Sequence, residues 1–314
     1  MKSRLNHLVL AATLCVAGCV GPLDVASRVQ DLRVLGSSLE KPELMARACG
    51  PLTPQTLAIY SAEVTYKALI ADPQGNGRTL HYQLYGCTSL TDRTCSNPGE
   101  SVLLAEGDTT AGEISLQIRP GQARREDGTP LVQAVQQASD VKGLGGIRMP
   151  LVLHLVGGTE EIYAQKLMVF NCPYFPDMKA NQNPVLPGIT LNDTLLNSDD
   201  FPTVQGPGPY VFKAVDFSDQ EESYVVPSYD LQRVELKESW IISWFTDLGL
   251  FGADKTGGTT AAVESPSTNT WYPTQAAAVG EKDVTFWFVI RDGRGGTSWL
   301  TRRLHHYPAP NAPN

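Results

Sequence analysis

From Val64 to Ile70 every second residue is apolar (Val64, Tyr66, Ala68, Ile70), the run stops in DPQGNG, and the alternation resumes at Leu80, Tyr82 and Leu84. A period of two turns one side of an extended chain to a core and the other to solvent, so this stretch reads as strand, turn and strand. RVQDLRVLGSSLE (28–40), SVLLAEG, EISLQIRP, IRMPLVLHLV and EIYAQKLMVF repeat the pattern. The last two are joined by GGTE and read as a hairpin, with glycine supplying the positive φ of the reversal. LVQAVQQASDV (131–141) departs from it: Leu131, Val132, Val135 and Ala138 share a helical face, and GLGG ends the helix. Short strands between turn formers, with 28 Gly, 22 Pro and almost no helix, predict an all-β chain of sandwiches.

NCPYFPDMKANQNPVLPG (171–188) carries four prolines and breaks every period, which places a domain boundary there. The expected organisation is a signal peptide over 1–18 and a lipidated tether over 19–28. A first immunoglobulin-like sandwich follows over 29–172, then a linker over 173–188, a second sandwich over 189–308 and a tail over 309–314. The second half has strands near YVFKAVDF, YDLQRVELKESWIISWFTD, VTFWFVIRD and TSWLTRRLHHY, and holds all five tryptophans. The two cores therefore differ in content. Both halves still end in a long apolar strand, a glycine turn and a closing strand, which predicts two copies of one topology in tandem.

The opening MKSRLNHLVLAATLCVAGC has basic Lys2 and Arg4, then an apolar run from Leu8 to Gly18. That run is shorter than the roughly 20 residues of a membrane span and reads as a secretory signal. VAGC resembles the lipobox of bacterial lipoproteins. The resemblance implies cleavage before Cys19, a diacylglycerol thioether on its sulfur, and further acylation, palmitate-type chains together anchoring stably where one would not. Val20, in place of an aspartate, points to the outer membrane. The expected partners are the membrane, through this anchor, and a protein or glycan. Losing Lys2 and Arg4 leaves 23 basic against 33 acidic side chains, a net charge of −10, which argues against nucleic acid.

With Cys15 removed and Cys19 lipidated, Cys49, Cys87, Cys95 and Cys172 remain, and an oxidising envelope permits disulfides among them. Four cysteines allow three pairings. Cys87 with Cys95 would clip the loop CTSLTDRTC, and Cys49 with Cys172 would tie the front of the first domain to its last strand. A zinc site is the weaker reading, since no CxxC or HxxxH accompanies them.

DLRVLGSSLEKPEL, ALIADPQGNGRTLHYQLYGC and the C-terminal ESWIISWF, TWYPT and VTFWFVIRDGRGGTSW resemble a group of lipoproteins from gliding soil bacteria. The likeness covers most of the mature chain, and the group's domains resemble immunoglobulin-like and PKD-like modules. It implies the fold and carries no catalytic motif.

RDGRGGTSW (291–299) raises the question of a ligand loop. Its glycines miss the GxGxxG spacing of a dinucleotide site and lead into a strand, where such a site needs a helix. As a hairpin with Gly293, Arg294 and Gly295 in the loop, it pairs Ile290 with Ser298, Val289 with Trp299 and Phe288 with Leu300. Arg294 at the tip is then a candidate protein contact. Trp240, Ile242 and Trp244 alternate along one strand as a core would. Trp287 and Trp299 share the face opposite Phe288 and Leu300, so they are the candidates for an exposed shelf for sugar or peptide. Asp216, Asp219, Glu221 and Glu222 lack the glycine of a calcium loop and read as solvated charge. DKTGG (254–258) departs from the pump motif DKTGT. The lone histidines His81 and His154 read as packed or exposed strand residues, and His305 and His306 point to opposite faces. Neither GxSxG nor HExxH is present. The chain is expected to be a non-catalytic binding or structural module without metal or cofactor, a glycan-binding module and a hydrolase being the alternatives.

Overall fold

The computed structural model describes residues 26–139, 145–258, 267–273 and 281–307. Cys19 and the signal peptide lie outside the described residues. The first sandwich packs two sheets. One is the antiparallel set β1 (Arg33–Leu39), β3 (Val64–Ala71) and β6 (Gly112–Ile118), with β3 in the centre. The other orders β2 (Glu43–Met45), β8 (Glu160–Asn171), β7 (Ile147–Gly157), β4 (Leu80–Cys87) and β5 (Ser101–Thr109). Val64, Tyr66, Ala68 and Ile70 turn into the core to meet Leu80, Leu84, Leu151, Leu153 and Phe170. The stretch is strand, turn and strand as its period predicts, and the structure adds that β3 and β4 do not pair: the DPQGNG turn carries the chain from one sheet to the other. Alternation marks a buried face without saying which sheet owns it.

Helix α2 (Leu131–Ala138) lies where the periodicity places it. A second helix, α1 (Pro54–Tyr60), is an addition to that reading. Its signal was local: Thr53 caps the helix by accepting from the Thr56 N–H, and Pro54 opens the first turn, where a missing N–H costs nothing.

The second sandwich repeats the plan. One sheet orders β10 (Thr194–Leu196), β9 (Ile189–Leu191), β12 (Tyr210–Ala214), β18 (Thr268–Tyr272) and β16 (Leu250–Phe251). The other orders β11 (Thr203–Gln205), β20 (Thr297–Tyr307), β19 (Lys282–Arg291), β15 (Ile241–Thr246) and β17 (Lys255–Gly257). In each sandwich a three-residue strand lies parallel to the closing strand, β2 on β8 and β11 on β20, and the penultimate strand follows antiparallel. The cores differ as the tryptophan count implies: Trp244, Trp271, Phe212, Phe286 and Phe288 fill the second. A two-stranded hairpin, β13 (Ser223–Pro227) and β14 (Arg233–Lys237), is inserted between β12 and β15 and joins neither sheet.

Two features bind the sandwiches together. The outer face of β1 and β3 supplies Leu35, Leu69 and Ala71 to a third apolar cluster, against Phe245, Trp287, Val289 and Trp299 from β15, β19 and β20. The chain entry also crosses over. Val29 N–H donates to Thr246 O and Thr246 N–H to Ser27 O, so the first described residues pair with the second sandwich before the first one begins. Among the described residues no helix is long and apolar enough to cross a membrane.

Candidate functional site

The turn between β19 and β20 has the register expected of it, with Phe288 opposite Leu300, Val289 opposite Trp299 and Ile290 opposite Ser298. Gly293 and Gly295 take positive φ, +80° and +121°. Asp292, 2% exposed, organises the loop: its carboxylate accepts the backbone N–H groups of Arg294, Gly295 and Gly296 at 2.7–3.0 Å. Gly296 has a separate requirement. A Cβ there would collide with the Asp292 carboxylate and stand 2.6 Å from Gln182 O.

The loop points into the first sandwich. Ser38 Oγ donates to Thr297 O at 2.6 Å, and Arg291 Nη2 to Leu35 O at 2.8 Å. Lys166 Nζ donates to Gly295 O and to Thr297 Oγ1. The proline-rich segment between the sandwiches is part of the same assembly. Asn183 Oδ1 accepts from Thr297 N–H, Asn181 Nδ2 donates to Asp292, and Asn181 N–H donates to Glu43 Oε2. Arg294 turns inward beneath the tip. Its guanidinium meets Glu238 at 3.2 Å, Glu222 at 3.3 Å and Glu43 at 3.6 Å, and lies 4.0 Å from the Tyr224 ring centroid.

Burial sets the electrostatics. Desolvation pushes the Lys166 ammonium down to about 8, with nearby Arg291 acting the same way and Asp292 opposing both. Desolvation likewise raises the Glu238 carboxyl, against the pull of the Trp240 indole N–H and Arg294. The loop, β1, β8 and the inserted hairpin border an open-sided cavity of about 640 Å³ that Lys166, Arg291 and Arg294 line.

Three sequence candidates move accordingly. Arg294 is withdrawn, its side chain 13% exposed. Trp287 is 8% exposed and half-buried Trp299 donates its indole N–H to Glu113, so the expected open shelf is instead covered by the first sandwich. The reading of the face was right; what faces it is another part of the chain. The most exposed aromatic among the described residues is Tyr229, at the β13–β14 turn. The four cysteines pair as Cys49–Cys172 and Cys87–Cys95, the latter packed by Val152 and Tyr85, which leaves no thiol for zinc among the described residues. Glu222 serves Arg294, Glu221 serves Lys237, and Asp216 accepts from Ser218 N–H. Among the described residues no three acidic, histidine or cysteine side chains converge as a metal site. In DKTGG, Asp254 accepts from Ser27 N–H and Thr256 from the Trp244 indole.

Sequence reasoning missed Lys166, Glu43 and Glu238. Lys166 carried a signal: Ile162, Ala164, Met168 and Phe170 alternate inward, and the lysine occupies the inward position between them. A charge on a buried face needs a partner.

These features define a class, an all-β protein of two sandwiches joined through an interlocked turn. Beyond the class, no family model and no curated protein matches the chain. It is similar to solved structures at low level. Escherichia coli alpha-2-macroglobulin activated by porcine elastase shares 10% identity at a TM-score of 0.25, over 90% of this chain and 22% of that one. Dimeric latent PorU from Porphyromonas gingivalis shares 10% at 0.20, over 91% and 25%. The C-terminal domain of the Streptococcus pyogenes antigen I/II-family protein AspA shares 9% at 0.21, over 87% and 100%. The chain thus spans about a quarter of the first two. At these values no site or activity transfers.

Proposed function

We propose that this chain is a non-catalytic cell-envelope module, anchored in the outer membrane through lipid on Cys19, that presents its two sandwiches as one rigid body to a protein or glycan partner. The observation that supports it is the junction. Residues that look available for chemistry in the sequence, Arg294, Asp292 and Glu222 among them, are engaged in holding the sandwiches together. The order of basic, apolar and small residues before Cys19 supports the anchor. Eight peptide steps separate Cys19 from Ser27, which is pinned to the second sandwich. At full extension they reach about 28 Å, so the body works close to the bilayer. A glycan shelf on Trp287 and Trp299 would require the junction to open.

Cys19→Ser tests the anchor by fractionation: the variant should leave the membrane fraction for the soluble one. Retention of the variant in membranes overturns the proposal. Rigidity is tested by unfolding, in which both sandwiches should melt in one transition.

A further inference from the structure

We propose that the junction cavity binds an organic carboxylate, its charged end between Lys166 and Arg291 and its apolar body along the inserted β13–β14 hairpin. This goes beyond the anchoring proposal and does not depend on it.

Among the described residues Glu43, Glu222, Glu238 and Asp292 stand around the turn, and all are engaged. Glu43 accepts from Asn171 Nδ2 and Asn181 N–H, Glu222 and Glu238 share Arg294, and Asp292 holds the turn and Asn181. The cations divide unevenly. Arg294 has three carboxylates within 4 Å. Lys166 is 8% exposed and Arg291 half-buried, yet neither has a carboxylate partner among the described residues. Their acceptors are neutral: Gly295 O and Thr297 Oγ1 for Lys166, Ser243 Oγ and Leu35 O for Arg291. An ammonium offers three protons and a guanidinium five, so both groups keep donors beyond those bonds. Asp292 acts on Lys166 from a distance but bonds neither cation; a cation withdrawn from water without a bonded counter-charge is costly, and an arriving anion lowers that cost.

Both cations line a cavity of about 640 Å³. That is the size of small-molecule sites, which concentrate at domain interfaces. Arg148 and Lys179 line it too, and neither has a salt bridge among the described residues. The apolar part comes from the hairpin, where Tyr224 pairs with Leu236 and Val226 with Val234, placing Tyr224, Val226 and Leu236 on one face. This hairpin adds nothing to either sheet, but it walls the cavity. Cations at one part of a pocket and an apolar strand face at another select an amphipathic anion, and Arg binds carboxylates bidentately.

The test is calorimetric titration of the purified protein with 4-phenylbutyrate and with 4-phenylbutanamide, the neutral ligand of the same shape. The carboxylate should bind at least tenfold tighter than the amide. Lys166→Met should weaken carboxylate binding at least tenfold. Because Lys166 also holds the turn, Val226→Asp gives a second reading: it sets a negative charge on the hairpin face and leaves the Lys166 bonds intact. It should abolish binding while the single unfolding transition persists. Equal affinity for acid and amide, no binding of either, or unchanged affinity in Val226→Asp overturns the proposal. Cys19→Ser should bind as the parent does, so failure of the anchor reading and failure of this one are separable.

Discussion

The turns that close the two sandwiches stand at the same place in the same topology, and they do different work. In the first, Gly157 pairs with Glu160 and only Gly158 and Thr159 make the reversal, with Gly158 at φ +62°. Arg78 braces it from outside, donating to Gly157 O, Asp72 and Glu160. In the second, five residues from Asp292 to Gly296 lie between the last paired residues, and the loop bonds to the other sandwich. A short turn serves its own hairpin. Three more residues, one a carboxylate that gathers backbone N–H groups, convert the same position into a joint.

Arg294→Met should give the largest contrast. It leaves Glu238 and Glu43 buried without their cation, which costs about 3–5 kcal/mol, and it should split denaturant unfolding into two transitions. Arg78→Met strips the cation from Asp72, whose side chain is 3% exposed, so its cost should be of the same order, but it should keep one transition because all its partners lie in the first sandwich. Splitting of the transition in both variants would erase the distinction between brace and joint.

Lys166 sharpens the comparison through pH. Its folded value of about 8 lies below the ordinary 10.5, so between those limits the unfolded chain holds a proton that the folded chain has released. Stability should therefore gain up to about 1.4 kcal/mol per pH unit between pH 8 and 10 relative to Lys166→Met. The penalty below pH 8 is about 3 kcal/mol. Parallel stability curves for the two proteins would show that the lysine is not desolvated.

The glycines come next. Gly296→Ala drives a methyl into the Asp292 carboxylate and should cost about 2–3 kcal/mol by breaking the loop's internal bonds. Gly158→Ala strains one left-handed residue, at about 1 kcal/mol. Smallest is Trp299→Phe, which removes the bond to exposed Glu113 and keeps the packing. It should lower the unfolding free energy by under about 1 kcal/mol, read from denaturant titration.

Much of this was legible beforehand for a definite reason. Register in the last hairpin follows from alternation, because a slip of one residue would turn Phe288 and Leu300 out of the core. The second helix escaped notice because seven residues carry little periodicity and the cue was a cap. The shelf on Trp287 and Trp299 failed differently. Their side of the sheet was read correctly, but period two cannot distinguish water from a neighbouring domain. Lys166 was visible as an interruption in an apolar face, although nothing local said what it would bind.

By itself the sequence determined the all-β class, the positions of most strands, the register of the final hairpin and the cysteines available to pair, since these rest on spacing and turn chemistry along the chain. Only the tertiary structure decided that β3 and β4 belong to different sheets, and that the chain entry pairs with the second sandwich. It also decided that RDGRGGTSW is an internal joint with Arg294 buried beneath three carboxylates. Those outcomes depend on contacts between residues far apart along the chain, 56 positions for Arg294 and Glu238 and 72 for Arg294 and Glu222, which no local period encodes.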